Sequence, residues 1–268
     1  MPQVSVVMSV HRRVEPRFLE KAVTSIQVQT LKDYEFIIVL DGELTSGQID
    51  ILERAKKIDS RVTLLHSERR MGVAYSLNQA IVSSKSEYIA RMDADDVSLP
   101  TRLERQVAFL EGHGSIDLVG TFAYEVDEEE KILFSKHLPV NSKELSMLLA
   151  KRDPFVHPTV IFRATFFERV GLYSSDFLGL EDTELWSRAF TAGILGANIG
   201  EFLYMFRVDR DFLKRRRGKV YAREEARLRW NYIRDSRLPL YNCIYPLLTF
   251  SMRISPEWVL RRLYKFAR

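Results

Sequence analysis

The chain has 268 residues, of which 46% are hydrophobic and 28% are charged. This balance excludes a disordered or fibrous chain and allows a sizeable core, so we expect one α/β domain with an appendage or two small domains. The single cysteine, Cys243, excludes an intrachain disulfide and a cysteine-rich metal site, which makes a reducing compartment the default expectation.

The net charge of +4 is distributed unevenly along the chain. Residues 1–209 hold 24 lysines and arginines against 31 acidic residues, whereas residues 210–268 hold 16 against 5. A basic C-terminal segment predicts an anionic partner: phosphate, nucleic acid or an acidic membrane surface. No run approaches the ~20 apolar residues that span a bilayer, and the N-terminus lacks a signal-peptide pattern, so we expect a cytoplasmic protein.

Residues 4–112 alternate between strand and helix patterns. The predicted strands begin at Val4, Glu35, Arg61 and Tyr88, and the predicted helices span 18–29, 49–58, 72–83 and 102–111. The run 35–40 is continuously apolar, as in a parallel strand buried on both faces. This order predicts a mostly parallel, doubly wound α/β sheet with Rossmann-like geometry. Thr101 and Glu104 also match a capping box at the start of the fourth helix.

Two nucleotide-binding classes are disfavoured by the loop after the first strand. No glycine precedes Gly42, and this loop reads His11-Arg12-Arg13. A dinucleotide-binding fingerprint needs glycines there, and a sugar nucleotidyltransferase should carry a glycine-rich loop at the same place.

The regular alternation ends near Leu118. The later predicted strands span 118–126, 132–137, 159–163 and 202–207, and the later predicted helices span 142–150, 164–170 and 183–192. We expect these elements to form a mixed half that packs on the first half as the other wall of a cleft. The predicted units are residues 1–112, residues 113–209 of the same domain, and a basic helical extension over 210–268.

Asp93, Asp95 and Asp96 follow the strand that begins at Tyr88. In open α/β sheets, ligands bind outside the carboxyl ends of the strands. Asp93 and Asp95 would point to the same side if the extended geometry continues, and paired carboxylates favour Mg²⁺ or Mn²⁺. The structural alternative is that acidic residues favour the N-terminus of the next helix.

Seven segments, in this order, resemble a family 2 glycosyltransferase of the GT-A fold, the group typified by bacterial polysaccharide and lipopolysaccharide sugar transferases. They are 5–10 (SVVMSV), 38–42 (IVLDG), Gly72 with 77–78 (LN), 88–96 (YIARMDADD), 157–163 (HPTVIFR), 181–186 (EDTELW) and 203–207 (LYMFR). The resemblance implies that residues 1–112 bind a nucleotide sugar and that residues 113–209 lie on the acceptor side.

The resemblance also implies roles for single residues. Ser9, Val10 and His11 would line the base pocket, and Asp41 would accept a hydrogen bond from uracil. Asp93 would lie near the ribose and the metal, and Asp95 would ligate Mn²⁺ or Mg²⁺ at the diphosphate. The full nucleotide-sugar set is Ser9, Val10, His11, Asp41, Arg69, Gly72, Asn78, Asp93, Ala94, Asp95 and Arg216. Two positions depart from the family: His11 replaces an aromatic residue, and Arg69-Arg70 replaces an asparagine.

Sugar transfer needs a base for the acceptor hydroxyl, and a carboxylate within ~2.6–3.2 Å of it is the natural group. The resemblance implies Asp182 as this base and supports transfer with inversion; Glu181 is the fallback. Asp182 precedes a predicted helix, so an N-cap role is its structural alternative. Asp96 is expected to cap a helix or to contact the sugar.

Several cations have two interpretations. Residues 214–217 (KRRR) are predicted to form a lid over the diphosphate, with Arg216 as a contact, or else a solvated or membrane-facing patch. Arg163 and Arg207 could serve the acceptor or the diphosphate, or lie in buried ion pairs. His157 could line the acceptor pocket or be a packed histidine.

The C-terminal tail combines an apolar stretch, 238–250, with a helical pattern that starts near residue 256 and contains Trp258. The basic residues that share one stripe of this pattern are Arg261, Lys265 and Arg268. A basic amphipathic helix with an interfacial tryptophan fits a membrane surface, and a helix docked on the domain is the alternative.

Together these features predict an inverting, metal-dependent glycosyltransferase that moves a hexose or N-acetylhexosamine from a UDP-sugar to a growing lipid-linked glycan such as O-antigen, capsule or exopolysaccharide. The expected partners are the UDP-sugar, an undecaprenyl-diphosphate-linked acceptor and, through the tail, the anionic inner face of the cell membrane, with the protein peripheral there. No nucleic-acid motif accompanies the basic segment. The alternatives are a non-catalytic nucleotide-sugar or membrane-binding module on the same scaffold and a sugar nucleotidyltransferase.

Overall fold

The computed structural model describes residues 1–177, 179–208, 216–256, 258, 259 and 262. Its strands are β1 (Val4–Val10), β2 (Tyr34–Asp41), β3 (Val62–Ser67), β4 (Tyr88–Asp93), β5 (Val97–Ser98), β6 (Leu118–Val126), β7 (Ile132–Lys136), β8 (Ile161–Arg163) and β9 (Gly196–Arg207). Its helices are α1 (Pro16–Gln27), α2 (Ser46–Ile58), α3 (Val73–Ser83), α4 (Arg102–Gly112), α5 (Ser142–Leu149), α6 (Thr165–Val170), α7 (Glu181–Thr191), α8 (Lys219–Asp235) and α9 (Ile244–Ile254). The alternation predicted for residues 4–112 is confirmed.

The strands form one sheet in the order β3-β2-β1-β4-β8-β6-β9-β5, and β7 pairs with β6. Strands β3, β2, β1 and β4 are parallel, whereas β8 runs antiparallel to both β4 and β6. The mixed, mostly parallel α/β fold is therefore confirmed. The second half continues the sheet of the first, because β8 pairs with β4. The unit boundaries at residues 112 and 209 stay a prediction.

Helices cover both faces of the parallel strands. Val6 of β1 packs in one core with Leu19 of α1 and Leu52 of α2, whereas Val7 packs in a second core with Leu77 of α3. Successive residues of a strand point to opposite faces, so a strand between two helical layers needs apolar residues at every position. Because both faces are filled, ligands can reach the parallel strands only at their ends.

The carboxyl ends of β1, β2 and β4 meet at one edge of the sheet. The strand register places Ser9 beside both Val39 and Asp93, and it places Asp41 beside Ser67. Parallel strands that end together bring residues from distant parts of the sequence to one site.

Two local predictions are wrong. The side chain of Thr101 makes no capping hydrogen bond, and its backbone is not extended (φ −94°, ψ 3°). Glu104 instead accepts a hydrogen bond from Thr30 Oγ1 at 2.7 Å, which ties α4 to the chain after α1. Strand β9 begins at Gly196, well before the predicted position 202. The prediction missed its first part because small residues there allow close packing and give no strand pattern. A Cβ on Gly196 would lie 2.8 Å from the Phe155 ring.

Helices α8 and α9 form a C-terminal hairpin around one buried carboxylate. Glu225 on α8 accepts hydrogen bonds from Arg229 and Arg253, each at 2.8 Å. Burial alone would raise the pKa of Glu225, but the two charges lower it to about 2. Among the described residues, no helix is both long enough and apolar enough to cross a membrane. The predicted basic stripe, Arg261, Lys265 and Arg268, lies outside the described residues.

Candidate active site

The predicted carboxylates come together at the end of β4. Asp93 is the last residue of this strand, and Asp95 and Asp96 lie in the turn that follows. One carboxylate oxygen from each residue lies within 4.8 Å of the others. The structure thus brings Asp93 and Asp95 together, but by a turn and not by the extended geometry that the sequence suggested.

Two buried arginines hold this turn. Arg91 places Nη2 2.5 Å from Asp93 Oδ1. Arg207 donates from Nε to the backbone oxygen of Asp95 at 2.8 Å, and its backbone N–H donates to Asp96 Oδ1 at 2.7 Å. At 1% exposure, Asp96 neither caps α4 nor faces a sugar, because it joins the turn to β9. Burial, and then the charges of Asp95 and Asp93, raise the pKa of Asp96 well above its ordinary value.

The donor set fits a hard divalent cation. Carboxylate oxygens are the ligands that Mg²⁺ and Mn²⁺ prefer. Asp96 Oδ2 is buried and has no hydrogen-bond partner within the described part of the chain. A buried carboxylate oxygen of this kind is costly unless a proton or a nearby cation balances it. Asp93 and Asp95 are partly exposed, so they are the candidates to contact such an ion.

A cavity of about 690 Å³, the first cavity, opens beside the carboxylates at the ends of β1 and β2. Its lining includes Ser9, His11, Asp41, Arg70, Gly72, Asp93, Ala94 and Asp95, with Phe177, Arg217 and Tyr221 from later in the chain. Burial, and then the charge of Arg70, lower the pKa of His11, so this ring is neutral at neutral pH.

Asp41 organises one wall of the first cavity. Its Oδ1 accepts hydrogen bonds from the backbone N–H groups of Met71 at 2.6 Å and Gly72 at 3.2 Å. The loop passes so close to β2 that a Cβ on Gly42 would lie 2.8 Å from the backbone nitrogen of Arg70, and Gly42 has φ +81°. Only glycine adopts this φ without strain, so Gly42 allows the loop to close on Asp41 and bring Arg70 to the cavity.

Four residues of the predicted donor set do not line the first cavity: Val10, Asn78, Arg69 and Arg216, of which Arg216 lines a neighbouring cavity. Val10 is fully buried in the core, since its side chain points to the opposite face from that of Ser9. Asn78 exchanges two hydrogen bonds with the backbone of Tyr173, at 2.8 and 2.9 Å, and so holds a loop. Arg70 reaches the cavity instead of Arg69.

A second cavity of about 350 Å³ adjoins the first. Both are lined by Asp93, Asp95 and Glu181. The other charged or polar residues of the second cavity include Arg91, Lys136, Asp153, His157, Asp182, Arg207 and Arg216. Because the carboxylates line both spaces, a molecule that extends from one cavity into the other would pass beside them.

Helix α7 delivers two acidic residues to the second cavity. Leu180 is the N-cap of α7 and Asp182 lies in its first turn, so the N-cap alternative for Asp182 is wrong. Trp186 anchors the helix, because its fully buried ring packs against Phe155 and Phe162. The apolar face of α7 is therefore buried, and the acidic first turn of the helix lies at the second cavity.

Asp182 has the properties of a base. Its side chain is 19% exposed, and Oδ1 accepts a hydrogen bond from the Thr183 N–H at 2.8 Å. Burial, and then the charge of Asp153, raise the pKa of Asp182 to about 7. A carboxyl group with this pKa is partly ionised at neutral pH and binds a proton readily. Glu181, 8% exposed, also has a pKa raised by burial.

His157 is a hydrogen-bonded histidine, as one interpretation predicted, and its place in the acceptor pocket stays a prediction. It lines the second cavity, with Nδ1 3.9 Å from Asp182 Oδ2, and its Nε2 lies 2.8 Å from Tyr173 Oη. Burial, and then the charges of Arg91 and Arg216, hold the pKa of His157 well below its ordinary value. The ring is therefore neutral beside Asp182.

The predicted cations separate into two groups. Arg216 lines the second cavity, whereas Lys214 and Arg215 lie outside the described residues. Arg163 is structural, because Nε and Nη2 donate to backbone oxygens at the end of α4 and just before β6. Arg207 holds the carboxylate turn and pairs with Glu130 at 3.1 Å.

Sequence reasoning missed four groups that the structure places in the second cavity: Arg91, Lys136, Asp153 and Tyr221. Arg91 lies inside the quoted acidic segment, so its spacing from Asp93 could have suggested an ion pair. Asp153 stands before a proline between a helix and a strand, which is typical of a loop at a sheet end. No local pattern distinguishes Lys136, whose pKa is lowered by burial.

The fold has counterparts among solved structures. The mannosyltransferase PcManGT from Pyrobaculum calidifontis, in complex with GDP-Man and Mn²⁺, matches with a TM-score of 0.66 at 19% identity. The match covers 99% of this chain and 79% of that protein. The fold is therefore that of a GT-A glycosyltransferase.

Sequence similarity identifies the family. The model described as "Glycosyl transferase family 2" matches residues 5–172, and the chain belongs to this family. The amylovoran biosynthesis glycosyltransferase AmsE of Erwinia amylovora is 29% identical over 262 residues, 97% of each chain. The UDP-Gal:alpha-D-GlcNAc-diphosphoundecaprenol beta-1,3-galactosyltransferase of Escherichia coli is 27% identical over 268 residues, 98% of this chain and 96% of that protein. The predicted resemblance to family 2 is confirmed.

Proposed function

We propose that this chain is an inverting, metal-dependent glycosyltransferase that transfers a hexose or N-acetylhexosamine from a UDP-sugar to a growing lipid-linked bacterial glycan such as O-antigen, capsule or exopolysaccharide. The observation that carries the proposal is the largely buried Asp182 in one cavity with Asp93 and Asp95. The substrate class is supported by the name of the Escherichia coli relative, because the similarity extends over 98% of this chain.

The first cavity is the proposed donor site. Ser9, His11 and Asp41 line the part formed by β1 and β2, where the nucleoside would bind. Arg70 would contact the base or the diphosphate. Asp93 and Asp95 would hold Mn²⁺ or Mg²⁺, and a divalent ion bound there neutralises charge on the leaving diphosphate.

The described end of the basic segment lies at the same place. Arg217 lines the first cavity and Arg216 lines the second. Arginine binds phosphate through two parallel N–H groups, so these residues would add charge-assisted hydrogen bonds to the diphosphate. This is the part of the proposed lid that the described residues contain.

The chemical step requires one proton transfer and one exchange of bonds. Asp182 would take the proton of the acceptor hydroxyl as the oxygen of that hydroxyl bonds to the anomeric carbon. The bond from this carbon to the β-phosphate oxygen breaks, and UDP leaves with the electron pair. Attack opposite the leaving group inverts the anomeric configuration. Glu181 is the fallback base.

Neighbouring groups adjust the proposed base. Asp153 raises the pKa of Asp182 after burial, which makes its carboxylate a stronger proton acceptor. A charged imidazolium at His157 would lower that pKa, but the low pKa of His157 keeps this ring neutral.

The proposed acceptor is a glycan on undecaprenyl diphosphate, and the enzyme would act as a peripheral protein at the inner face of the cell membrane. The cations Lys136 and Arg216 in the second cavity suit an acceptor that carries phosphate.

A donor panel separates this proposal from its alternatives. Nucleotide sugars are tested by thermal shift with and without Mn²⁺, and UDP release is then followed without acceptor. We expect a UDP-sugar with Mn²⁺ to stabilise the protein and to be hydrolysed slowly. Stabilisation without UDP release would instead indicate a binding module, and release of pyrophosphate from a nucleoside triphosphate would indicate a nucleotidyltransferase. Asp95→Ala should lose both effects, whereas Asp50→Ala, on the exposed side of α2, should lose neither.

A further inference from the structure

The hairpin of α8 and α9 carries an apolar stripe that faces solvent. The stripe consists of Leu240, Tyr241, Ile244, Leu247, Leu248 and Ile254, which are 46% to 85% exposed. Within α9, positions 244, 247, 248 and 254 follow the spacing of one helix face, and Leu240 and Tyr241 directly precede the helix. Single exposed apolar residues are common on protein surfaces, whereas several that are exposed together on one face mark a contact surface.

The opposite side of α9 is the one that docks on the protein. Pro246 and Thr249 are buried, and Arg253 pairs with Glu225 of α8. The stripe is therefore not the face that holds α9 in place, and folding of the described chain leaves it uncovered. It also precedes the basic segment after residue 256 that the sequence suggested for membrane contact.

The charge around the stripe favours an anionic surface. Residues 236–256 contain no acidic residue. Exposed Arg237 precedes the stripe, whereas Arg234 is paired with Asp235 at 2.8 Å. After the stripe, the guanidinium of Arg262 lies 5.9 Å from the ring of Trp258, which is 64% exposed. Tyrosine and tryptophan concentrate at the level of lipid headgroups, and cations beside an apolar face strengthen binding to anionic lipids.

The stripe is also connected to the candidate active site. Arg217, which lines the first cavity, donates from Nη2 to the backbone oxygen of Ser255 at 2.9 Å. The next residue, Gly218, donates its N–H to the backbone oxygen of Arg253 at 3.2 Å. The end of α9 is thus fixed to the segment that lines both cavities, so a surface that holds α9 also lies near the proposed active site.

We infer that the stripe on α9 is a membrane-docking surface that lies in the headgroup layer of an anionic bilayer. The inference rests on the proposed function and deepens it. A lipid-linked acceptor is presented at a membrane surface, and the stripe would hold the enzyme at that surface. A second copy of the chain is the competing occupant of such a face. The flanking arginines Arg237 and Arg262 favour lipid, since a self-complementary interface would bring such cations together.

Vesicle flotation of the full chain tests the inference. The vesicles are phosphatidylcholine alone, or equal parts of phosphatidylcholine and phosphatidylglycerol. We expect the protein to float with the anionic vesicles and less with the neutral ones. The triple variant Ile244→Ser, Leu247→Ser and Leu248→Ser should lower the partition coefficient at least about tenfold, because three half-exposed aliphatic side chains lose their transfer into the interface.

The matched control replaces three exposed aliphatic residues on other surfaces: Val28→Ser, Ile58→Ser and Val82→Ser. It should float as the unchanged protein does. Both variants should keep the thermal shift with UDP-sugar and the activity on a water-soluble acceptor, so a failed docking surface is distinguishable from a failed enzyme assignment. No flotation of the unchanged protein, or an equal loss in the control, would overturn the inference. The inference would also be overturned if the triple variant floated normally but changed from dimer to monomer in sedimentation.

Discussion

Asp182 should make the transfer rate depend on pH near neutrality. Burial and Asp153 raise its pKa from the ordinary 3.8 to about 7. A general base acts only when it is deprotonated, so kcat/KM should fall as the pH falls through this pKa. With a pKa of about 7, roughly one-tenth of the groups are ionised at about pH 6 and roughly nine-tenths at about pH 8. We expect kcat/KM to rise about tenfold over this interval, whereas a base with the ordinary pKa would give a flat profile.

The assay is the initial rate of sugar transfer at low acceptor concentration, saturating UDP-sugar and constant Mg²⁺ and ionic strength. Two histidines line the cavities, but neither should produce this limb of the profile. The pKa of His11 is lowered from 6.5, and that of His157 lies well below 6.5, in each case chiefly by burial. Thermal unfolding at each pH shows whether the protein stays folded over the interval.

Two substitutions test the sign of the electrostatic argument. Asp153→Asn removes a negative charge that disfavours ionised Asp182, so the midpoint should move to lower pH. Arg216→Gln removes a positive charge and should move it to higher pH. Asp50→Asn, an exposed change on α2, should leave it in place. A flat profile in the unchanged protein, or a midpoint that rises in Asp153→Asn, would refute the reasoning.

Two further changes test the structure that supports the site. Glu225→Ala leaves buried Arg229 and partly buried Arg253 without this carboxylate, and we expect urea denaturation to show a loss of about 3–5 kcal/mol in the free energy of unfolding. Glu224→Ala removes a more exposed pair and should cost under about 1 kcal/mol, so equal losses would contradict the assignment. Gly42→Ala places a Cβ 2.8 Å from the backbone nitrogen of Arg70 at φ +81°, and we expect a loss of about 1–3 kcal/mol together with a higher KM for the UDP-sugar. An unchanged KM would show that this loop does not shape the donor site.

The contribution of Glu225 should also depend on pH. Its pKa in the folded protein is lowered from 4.5 to about 2, so folding favours the ionised carboxylate. The stabilisation is complete above the unfolded-state value and is lost as the pH falls through the folded-state value. The difference in unfolding free energy between the unchanged protein and Glu225→Gln should therefore shrink between about pH 5 and about pH 2. A difference that grows on acidification would contradict this assignment.

The parallel half of the fold could be predicted because its signals are local. Runs such as 35–40 are apolar at every position, and this pattern alone indicates a strand covered on both faces. The placement of Asp93 and Asp41 at one edge then follows from topology, since parallel strands end together. The sequence predicted that Asp95 lies close to Asp93, but from an extended backbone. The structure instead forms a turn after β4, and this turn is held by Arg207, which lies far along the chain.

The remaining features depend on contacts that no local pattern contains. Asn78 belongs to the family motif, yet it bonds to the backbone of Tyr173 and does not line the donor cavity. Asp153 raises the pKa of Asp182 because the fold brings its charge close to Asp182, where it also accepts a hydrogen bond from Thr183 Oγ1 at 2.7 Å. The start of strand β9 was not predicted, because the small residues that pack closely there do not show the alternating pattern of a strand.

The most direct test of the account is sugar transfer by Asp182→Asn. This change keeps the size of the side chain and removes its ability to take a proton. We expect the variant to stay folded and to retain its thermal shift with UDP-sugar and Mn²⁺, while transfer to the acceptor falls by about 10²–10⁴-fold. Full transfer activity in the folded variant would contradict the claim that this carboxylate is the base.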